Sequence, residues 1–355
     1  MRTLDELAHG RGNNFNLVRM AAASAVIVSH AYPLSLGPEA IEPLASIMPF
    51  SLGSAAVEVF FAVSGFFIMK SFDRRGSLTD FVAARVLRLY PALIVVALFC
   101  TVIVGPLFTR LTLSEYFSQP ATAAYTPRAL SLAFLGFGLP GVFANNPYPG
   151  VNGPLWTLYY EVSCYFGLTI AGLLGLFAKW RFPALLAAYA LTYAIIRYSG
   201  LLEGGVPKFV TLHSVLSLPF LLGMAAYRYR TRIPLNAVAA AALAALAAFA
   251  VAIDVLPEEA TALAISYGAL GLGGLKIPVL LTYNRFGDYS YGTYIYGWPV
   301  AQMIVAMWPG ITPLLLMALS WIMTLPFAIA SWKLIEKPAL SYKSWRPKVN
   351  SRGSL

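Results

Sequence analysis

Charged residues are scarce in this sequence, and their scarcity excludes most classes of soluble protein. Asp, Glu, Lys and Arg make up 11% of the 355 residues, whereas 59% are hydrophobic and the mean hydropathy is +0.69. Soluble domains carry roughly a quarter charged and about half apolar residues. The composition predicts an integral membrane protein. Despite the net charge of +10 we expect no nucleic-acid partner, because the basic residues fall in short clusters between apolar blocks.

Common catalytic and metal-binding patterns are also missing. The two cysteines, Cys100 and Cys164, lie inside apolar segments, where cysteine usually acts as a small hydrophobe, so no disulfide framework is expected. The sequence has no GxSxG elbow, P-loop, CxxC pair, HExxH motif or dinucleotide fingerprint. With three histidines and scattered carboxylates, we expect no metal site and no bound cofactor.

Apolar blocks recur along the chain at the length needed to cross a bilayer. A hydrocarbon core of roughly 30 Å takes about 20 apolar residues per helix. The predicted fold is therefore an all-α, polytopic membrane helical bundle of about ten transmembrane helices. The predicted spans are 15–33, 52–70, 89–108, 155–177, 183–200, 210–227, 235–253, 260–281, 289–308 and 312–332. We expect the alanine-rich seventh span to pack in the interior of the bundle.

The distribution of Lys and Arg between these spans gives the expected orientation. If the N-terminus is cytoplasmic, 21 of the 25 basic residues lie inside, and the outside loops keep Arg110, Arg128, Arg197 and Lys208. Because Lys and Arg favour the cytoplasmic side, both termini are predicted to be cytoplasmic. No connection is large enough for a second domain. We predict one transmembrane domain, 1–345, and a short basic cytoplasmic tail, 346–355.

A few ionisable side chains fall within the predicted spans, where they are by default candidates for function. They include His30 in the first span, Glu58 in the second and Glu161 early in the fourth. Arg19 and His30 are eleven residues apart, which places them on one helix face about 16 Å apart along the axis. The structural alternative is that Arg19 reaches the interface and His30 hydrogen-bonds a neighbouring helix.

Two further arginines and an aromatic run complete the candidate features. Arg85 and Arg88 are neighbours on one helix face at the cytoplasmic mouth of the third span, where their planar guanidinium groups suit phosphate oxygens. A positive-inside anchor is the alternative for this pair. The run from Tyr283 to Trp298 predicts an interfacial aromatic belt, with a sugar-stacking or acyl-chain-lining surface as the alternative.

Six short motifs, in order along the chain, resemble the pattern of the acyltransferase 3 family of membrane-bound O-acyltransferases. The first is the arginine and histidine of the opening span, here Arg19 and His30. The others are F-F-A-V-S-G-F at 60–66, R-V-L-R-L-Y-P at 85–91, W-T-L-Y-Y-E at 156–161 after N-G-P at 152–154, Y-S-Y-G-T-Y-I-Y at 289–296 and E-K-P at 336–338. One departure is Gly297, which stands where the family often has histidine.

The resemblance implies transfer of an acyl group, most often acetyl, from cytoplasmic acyl-CoA to a hydroxyl of a cell-envelope or exported carbohydrate such as lipopolysaccharide. It places the protein in the bacterial inner membrane. By the same resemblance, Arg19, Arg85 and Arg88 would hold the CoA phosphates, with the thioester arm directed toward His30. The expected partners are acyl-CoA, the carbohydrate acceptor, membrane lipid and polysaccharide-assembly proteins.

The resemblance also implies roles at the reacting centre. His30 would act as a general base toward the acceptor hydroxyl, or carry the acyl group transiently as a nucleophile. Glu161 would orient His30 or the acceptor. Asn152, Trp156 and Tyr160 would frame the carbohydrate.

Two other functions are compatible with a bundle of this size. A transporter or flippase of a lipid-linked glycan needs no chemistry of its own, although the sequence shows no inverted repeat. A polyprenyl-phosphate glycosyltransferase would need acidic metal ligands, for which Glu258 and Glu259 are thin support. Consumption of acyl-CoA by the purified protein would separate an enzyme from a transporter.

Overall fold

The computed structural model describes residues 3–9, 12–74, 77–132, 138–199 and 207–342, and within them every regular element is a helix. The α-helices are α1 Asp5–His9, α2 Phe15–Leu36, α3 Leu52–Asp73, α4 Leu78–Leu98, α5 Gly105–Phe108, α6 Leu113–Ser118, α7 Pro120–Ser131, α8 Trp156–Leu173, α9 Phe182–Tyr198, α10 Lys208–Arg228, α11 Ala237–Ala252, α12 Pro257–Gly273, α13 Pro278–Leu281, α14 Ser290–Met307, α15 Pro313–Ser331 and α16 Lys337–Tyr342. Short 3₁₀ turns occupy Leu44–Ser46, Gly153–Leu155 and Thr282–Arg285, and π-helical turns occupy Phe99–Val104 and Trp332–Glu336.

A helix lies at each of the ten positions where a span was predicted. Five helices are long and apolar enough to cross a bilayer: Phe15–Leu36, Leu52–Asp73, Leu78–Phe108, Lys208–Arg228 and Pro313–Ser341. A sixth qualifies if Pro257–Gly273 and Pro278–Arg285, bent by 88° at their junction, form one span. The described residues thus support a multi-pass membrane protein. The count of ten and the cytoplasmic termini stay predictions, and the basic tail 346–355 lies outside the described residues.

Side-chain caps set the starts of α3 and α4, two of the helices that carry candidate motifs. Ser51 accepts a hydrogen bond from the Ser54 amide at 3.0 Å and begins α3, and Ser77 accepts one from the Asp80 amide at 3.3 Å and begins α4. Such caps satisfy amide groups that have no partner within the helix. The caps therefore fix where the serine motif of α3 and the arginine motif of α4 lie along their helices.

The innermost helix of the fold is α14, which carries the aromatic run. Fifteen of its eighteen residues are buried, and it packs between α2 and α15. The predicted interfacial belt is wrong here, because Tyr289, Tyr291, Tyr294 and Tyr296 are all buried. Two of their hydroxyl groups donate inside the protein, that of Tyr291 to the Leu89 carbonyl oxygen at 3.0 Å and that of Tyr294 to the Pro154 carbonyl oxygen at 2.9 Å. Buried tyrosines of this kind need such partners.

The alanine-rich helix α11 lies at the periphery, so its predicted interior position is also wrong. Only Ala247 and Ala250 are buried, and the helix packs mainly on α12. Lipid tails are as apolar as a protein interior, so an apolar helix surface does not show which of the two it contacts. Composition alone therefore could not separate α11 from α14.

The backbones of α3 and α10 pass very close to each other at two glycines. A Cβ atom at Gly65 would lie 2.0 Å from the Phe220 carbonyl oxygen, and one at Gly223 would lie 2.1 Å from the Ala62 carbonyl oxygen. Small residues allow this close approach between membrane helices. The contact holds α3, and with it the serine motif, in place.

We expect Gly65→Ala to destabilise the folded protein by roughly 1–3 kcal/mol, the usual cost of overpacking a filled interior. The measurement is thermal unfolding of the detergent-purified protein. Gly167→Ala on α8 is the matched control, because its added Cβ would have no heavy atom within 4 Å. Equal melting temperatures for the two variants would contradict the close packing of α3 and α10.

Candidate functional site

A cavity of about 300 Å³, here called the arginine cavity, lies among α2, α3, α4, α8 and α14. It is lined by all three arginines predicted to bind phosphate, Arg19, Arg85 and Arg88, and by Glu161. Three guanidinium groups on two helices make the cavity suited to an anionic group, because their planar donor forks match phosphate and carboxylate oxygens.

Two of these arginines are paired with one buried carboxylate, Asp288, that sequence analysis missed. Arg19 Nη1 and Arg88 Nη2 each donate to Asp288 Oδ2 at 2.6 Å, and Ser290 Oγ donates to Oδ1 at 2.5 Å. Burial raises the pKa of Asp288, but Arg19, Arg88 and the Ser290 hydrogen bonds outweigh burial and leave the pKa well below its ordinary value. The carboxylate is therefore ionised at neutral pH.

Local backbone geometry places this carboxylate and a second one, Glu336. Gly287 has a φ of +117°, and a Cβ there would lie 2.2 Å from Trp332 Nε1, so glycine allows the chain to pass the tryptophan just before Asp288. The π-helical turn Trp332–Glu336 buries Glu336, whose Oε2 lies 3.6 Å from Arg88 Nη1. Neither carboxylate lines the arginine cavity, so both contact the arginines on the side away from the cavity.

Glu161 is fixed by two hydroxyl groups. Ser64 Oγ donates to Glu161 Oε1 at 3.0 Å, the Tyr165 hydroxyl donates to the same oxygen, and the two hydroxyls are 3.0 Å apart. Ser64 is the serine of the F-F-A-V-S-G-F motif on α3, and Tyr165 lies one turn after Glu161 on α8. This network holds the carboxylate at the wall of the arginine cavity.

His30 lies outside the arginine cavity, in a separate aromatic layer. Its ring packs edge to face on Trp298, with ring centroids 4.8 Å apart, and Trp298 in turn packs on Tyr148 at 5.2 Å. Trp298 Nε1 donates to the Gly150 carbonyl oxygen at 2.7 Å, which ties this layer to the loop after residue 138. Among the described residues no hydrogen bond joins His30 to Glu161, so the predicted orienting contact is not formed here.

The three residues predicted to frame the acceptor do not share one surface. Asn152 is buried and donates from Nδ2 to the Ile295 carbonyl oxygen at 3.0 Å, which ties the loop to α14. Trp156 packs on Tyr160 with ring centroids 5.6 Å apart, and Tyr160 faces His213 of α10 at 6.0 Å. Asn152 therefore faces α14, while Tyr160 faces α10. Their contact with an acceptor stays a prediction.

The sequence contains only weak indications of Asp288 and Tyr165, the two residues that sequence reasoning missed. Asp288 is the single acidic residue between Lys276 and Met307 and directly precedes the tyrosine motif. A carboxylate at the head of an aromatic span, in a chain with several intramembrane arginines, could have been matched to them by charge. Tyr165 gave no signal beyond lying four residues after Glu161.

The chain is similar to known proteins over nearly its whole length. The family model described as an acyltransferase domain, Acyl_transf_3, matches residues 13–333. A protein named O-acetyl transferase from Shigella phage Sf6 is 29% identical over 349 residues, covering 96% of this chain and 99% of the relative. Nodulation protein 10 from Rhizobium leguminosarum bv. viciae is 29% identical over 376 residues, covering 96% of each chain. No solved structure matches the chain.

The matched range includes the three arginines of the cavity, Asp288 and His30. It covers nearly all of the chain and every helix that is long and apolar enough to span a membrane, apart from the last residues of the final one. The chain belongs to the acyltransferase 3 family.

Proposed function

We propose that the protein transfers an acyl group, most simply acetyl, from cytoplasmic acyl-CoA to a hydroxyl of a cell-envelope or exported carbohydrate, in the bacterial inner membrane. The observation that carries the proposal is the arginine cavity, together with membership of an acyltransferase family. The relative named O-acetyl transferase supports acetyl as the group transferred. Because the family is one of acyltransferases, the alternative of a transporter or flippase without chemistry is not favoured.

The donor assignment follows from the charges at the cavity. Acyl-CoA carries a diphosphate and a ribose phosphate, which are multiply anionic. A guanidinium has five N–H donors, and Asp288 accepts one from Arg19 and one from Arg88, so both arginines keep donors for a ligand. Arg85 lines the same wall. The three arginine side chains can therefore hold phosphate groups, while Asp288 and Glu336 fix the positions of Arg19 and Arg88.

The reaction needs one proton transfer. The acceptor oxygen attacks the thioester carbonyl carbon, the carbon–sulfur bond breaks, and an ester and CoA thiolate result. The hydroxyl proton passes to a base and then to the thiolate. We take His30 as the base, because a neutral imidazole nitrogen can accept the hydroxyl proton. In the alternative route His30 carries the acyl group between two such steps.

The test of the donor assignment is acyl-CoA turnover by the protein in lipid nanodiscs. We expect release of free CoA from acetyl-CoA when envelope glycan from a strain lacking the gene is added. Arg85→Gln should raise the KM for acetyl-CoA by about tenfold or more, since a hydrogen bond to a charged group is worth roughly 1.5–3 kcal/mol.

Arg181→Gln is the matched control for this test. Arg181 is an exposed arginine on the predicted cytoplasmic side that stacks on Trp180 at 4.4 Å, outside the arginine cavity. We expect its KM to equal that of the wild type. An Arg85 variant with unchanged KM would count against the donor site, and wild-type protein that consumes no acetyl-CoA would count against the enzyme.

A further inference from the structure

A second cavity of about 450 Å³, here called the loop groove, lies beyond the far end of α14 from the arginine cavity. Its walls are the end of α5 with the two residues after it, the loop 143–147, and the last turn of α14 with the turn that follows it. It shares no lining residue with the arginine cavity. By the predicted orientation, it opens on the extracytoplasmic face. We propose that the loop groove binds an oligosaccharide segment of the acceptor, next to the sugar that receives the acyl group.

Contacts within the protein hold the backbone of the groove in a defined conformation. Phe143 has a φ of +54°, a left-handed conformation that a bulky residue rarely adopts. It is held there because its amide donates to the Phe108 carbonyl oxygen at 3.4 Å and its ring packs on Phe108 at 5.3 Å. Thr109 Oγ1 also donates to the Pro140 carbonyl oxygen at 2.7 Å. Backbone strain persists only where the surroundings enforce it, and it concentrates at binding sites.

The same loop is fastened to the helix that reaches His30. Asn146 Nδ2 donates to Gln302 Oε1 at 2.7 Å and to the Gln302 carbonyl oxygen at 3.0 Å. Gln302 lies one turn after Trp298, which contacts the ring of His30. From Trp298 to Val305 at the groove is seven residues, or about 10 Å along α14. The groove and the Trp298–His30 contact therefore lie along one face of α14, within reach of a single extended sugar chain.

The side chains of the groove match the amphipathic surface of a sugar chain. The Arg110 guanidinium and the Asn145 amide are exposed and have no hydrogen-bond partner among the described residues. They stand beside apolar surface from Phe108, Pro147 and Pro309. Donors and an amide acceptor suit hydroxyl groups, and the apolar faces suit the C–H face of a sugar ring. With one cation and no acidic residue in its lining, the groove suits neutral or acidic sugars better than a polyphosphate.

The test compares acceptors of two lengths, and it rests on the proposed function. Protein in nanodiscs is given saturating acetyl-CoA and envelope polysaccharide from a strain lacking the gene, cut by partial acid hydrolysis into short and long fragments. We expect the wild type to have a lower KM for long fragments. Arg110→Gln should reduce this length preference by about tenfold, the effect expected from one lost charged hydrogen bond. Ala144→Trp should abolish the preference, because the indole fills the groove.

Lys208→Gln is the matched control, because Lys208 is exposed on the same predicted face but does not line the groove. Its length preference should equal that of the wild type. If wild-type protein acetylates both fragments and the two groove variants keep its length preference, the groove is not the acceptor site, while the proposed function stands. If wild-type protein acetylates neither fragment, both proposals are overturned.

Discussion

Replacing His30 with alanine is expected to lower acyl transfer to carbohydrate by about 10²–10⁴-fold, the usual contribution of a positioned general base. His30 is the imidazole on the face of α2 that also carries Arg19, and it lies against Trp298 in the layer next to the loop. The measurement is mass spectrometry of envelope polysaccharide from a deletion strain that carries either wild-type protein or His30→Ala. We expect the acetyl ester to be lost from the deletion strain and from the variant, with normal membrane levels of the protein.

His213→Ala is the control for this experiment. His213 is a half-buried histidine on α10 whose Nδ1 lies 3.2 Å from Ser163 Oγ, and its ring faces Tyr160 rather than Trp298. We expect this variant to keep the acetyl ester. Full acetylation by the His30→Ala variant would contradict the proposed role of His30. Polysaccharide that keeps its ester but fails to reach the cell surface in the deletion strain would instead support a transporter.

The same variant separates the two routes open to His30. Intact-protein mass spectrometry after incubation with acetyl-CoA, without acceptor, would show an added acetyl group if His30 is an acyl carrier. The direct route predicts an unmodified protein under these conditions. An acetyl group present on the wild type and absent from His30→Ala would establish the two-step route.

The second large effect is expected at Asp288. Asp288→Asn should raise the KM for acetyl-CoA by about tenfold to a hundredfold, because two hydrogen bonds lose their charged acceptor and a charged hydrogen bond contributes roughly 1.5–3 kcal/mol. The carboxylate lies behind Arg19 and Arg88 and does not line the cavity, so its neutralisation removes the anion that orients Arg19 and leaves Arg88 with Glu336 alone. The folded state should also be less stable, since breaking a buried pair leaves uncompensated charge.

The direction of the change in KM distinguishes two roles for Asp288. If Asp288 instead occupied the place of a substrate phosphate, the asparagine variant would bind acetyl-CoA more tightly and its KM would fall. Asp73→Asn is the control, because Asp73 accepts a hydrogen bond from the Tyr227 hydroxyl at 2.9 Å outside the arginine cavity. Steady-state kinetics on protein that remains monodisperse in size-exclusion chromatography would separate altered binding from unfolding.

Much of the cavity could be predicted from the sequence, because its members sit at regular spacings on apolar helices. Arg85 and Arg88 share a face by their three-residue spacing, and a charged group inside an apolar span needs an internal environment. That reasoning placed Arg19, Arg85, Arg88 and Glu161 as candidates, and the structure brings these four around one cavity. The spacing also put His30 about 16 Å from Arg19 along α2. It could not reveal that His30 packs on Trp298, because that contact depends on how α2 packs against α14.

Other features depend on contacts between distant parts of the chain. Asp288 is separated from Arg19 by 269 residues, and no periodic pattern links the two. The tyrosines of α14 have the composition of an interfacial belt, and only their hydrogen bonds inside the bundle show that they are buried. The predicted interior position of the seventh span was wrong for a related reason, since alanine packs equally well against lipid and against protein.

The central position of α14 bears on how the protein is made. This helix is not among those long and apolar enough to cross a bilayer by themselves, and it contains buried polar groups such as Thr293 and Gln302. Segments of that kind enter the membrane at a cost that neighbouring helices must offset. Its two main neighbours are α2, synthesised before it, and α15, synthesised after it. The centre of the bundle is therefore completed only after α15 has left the ribosome.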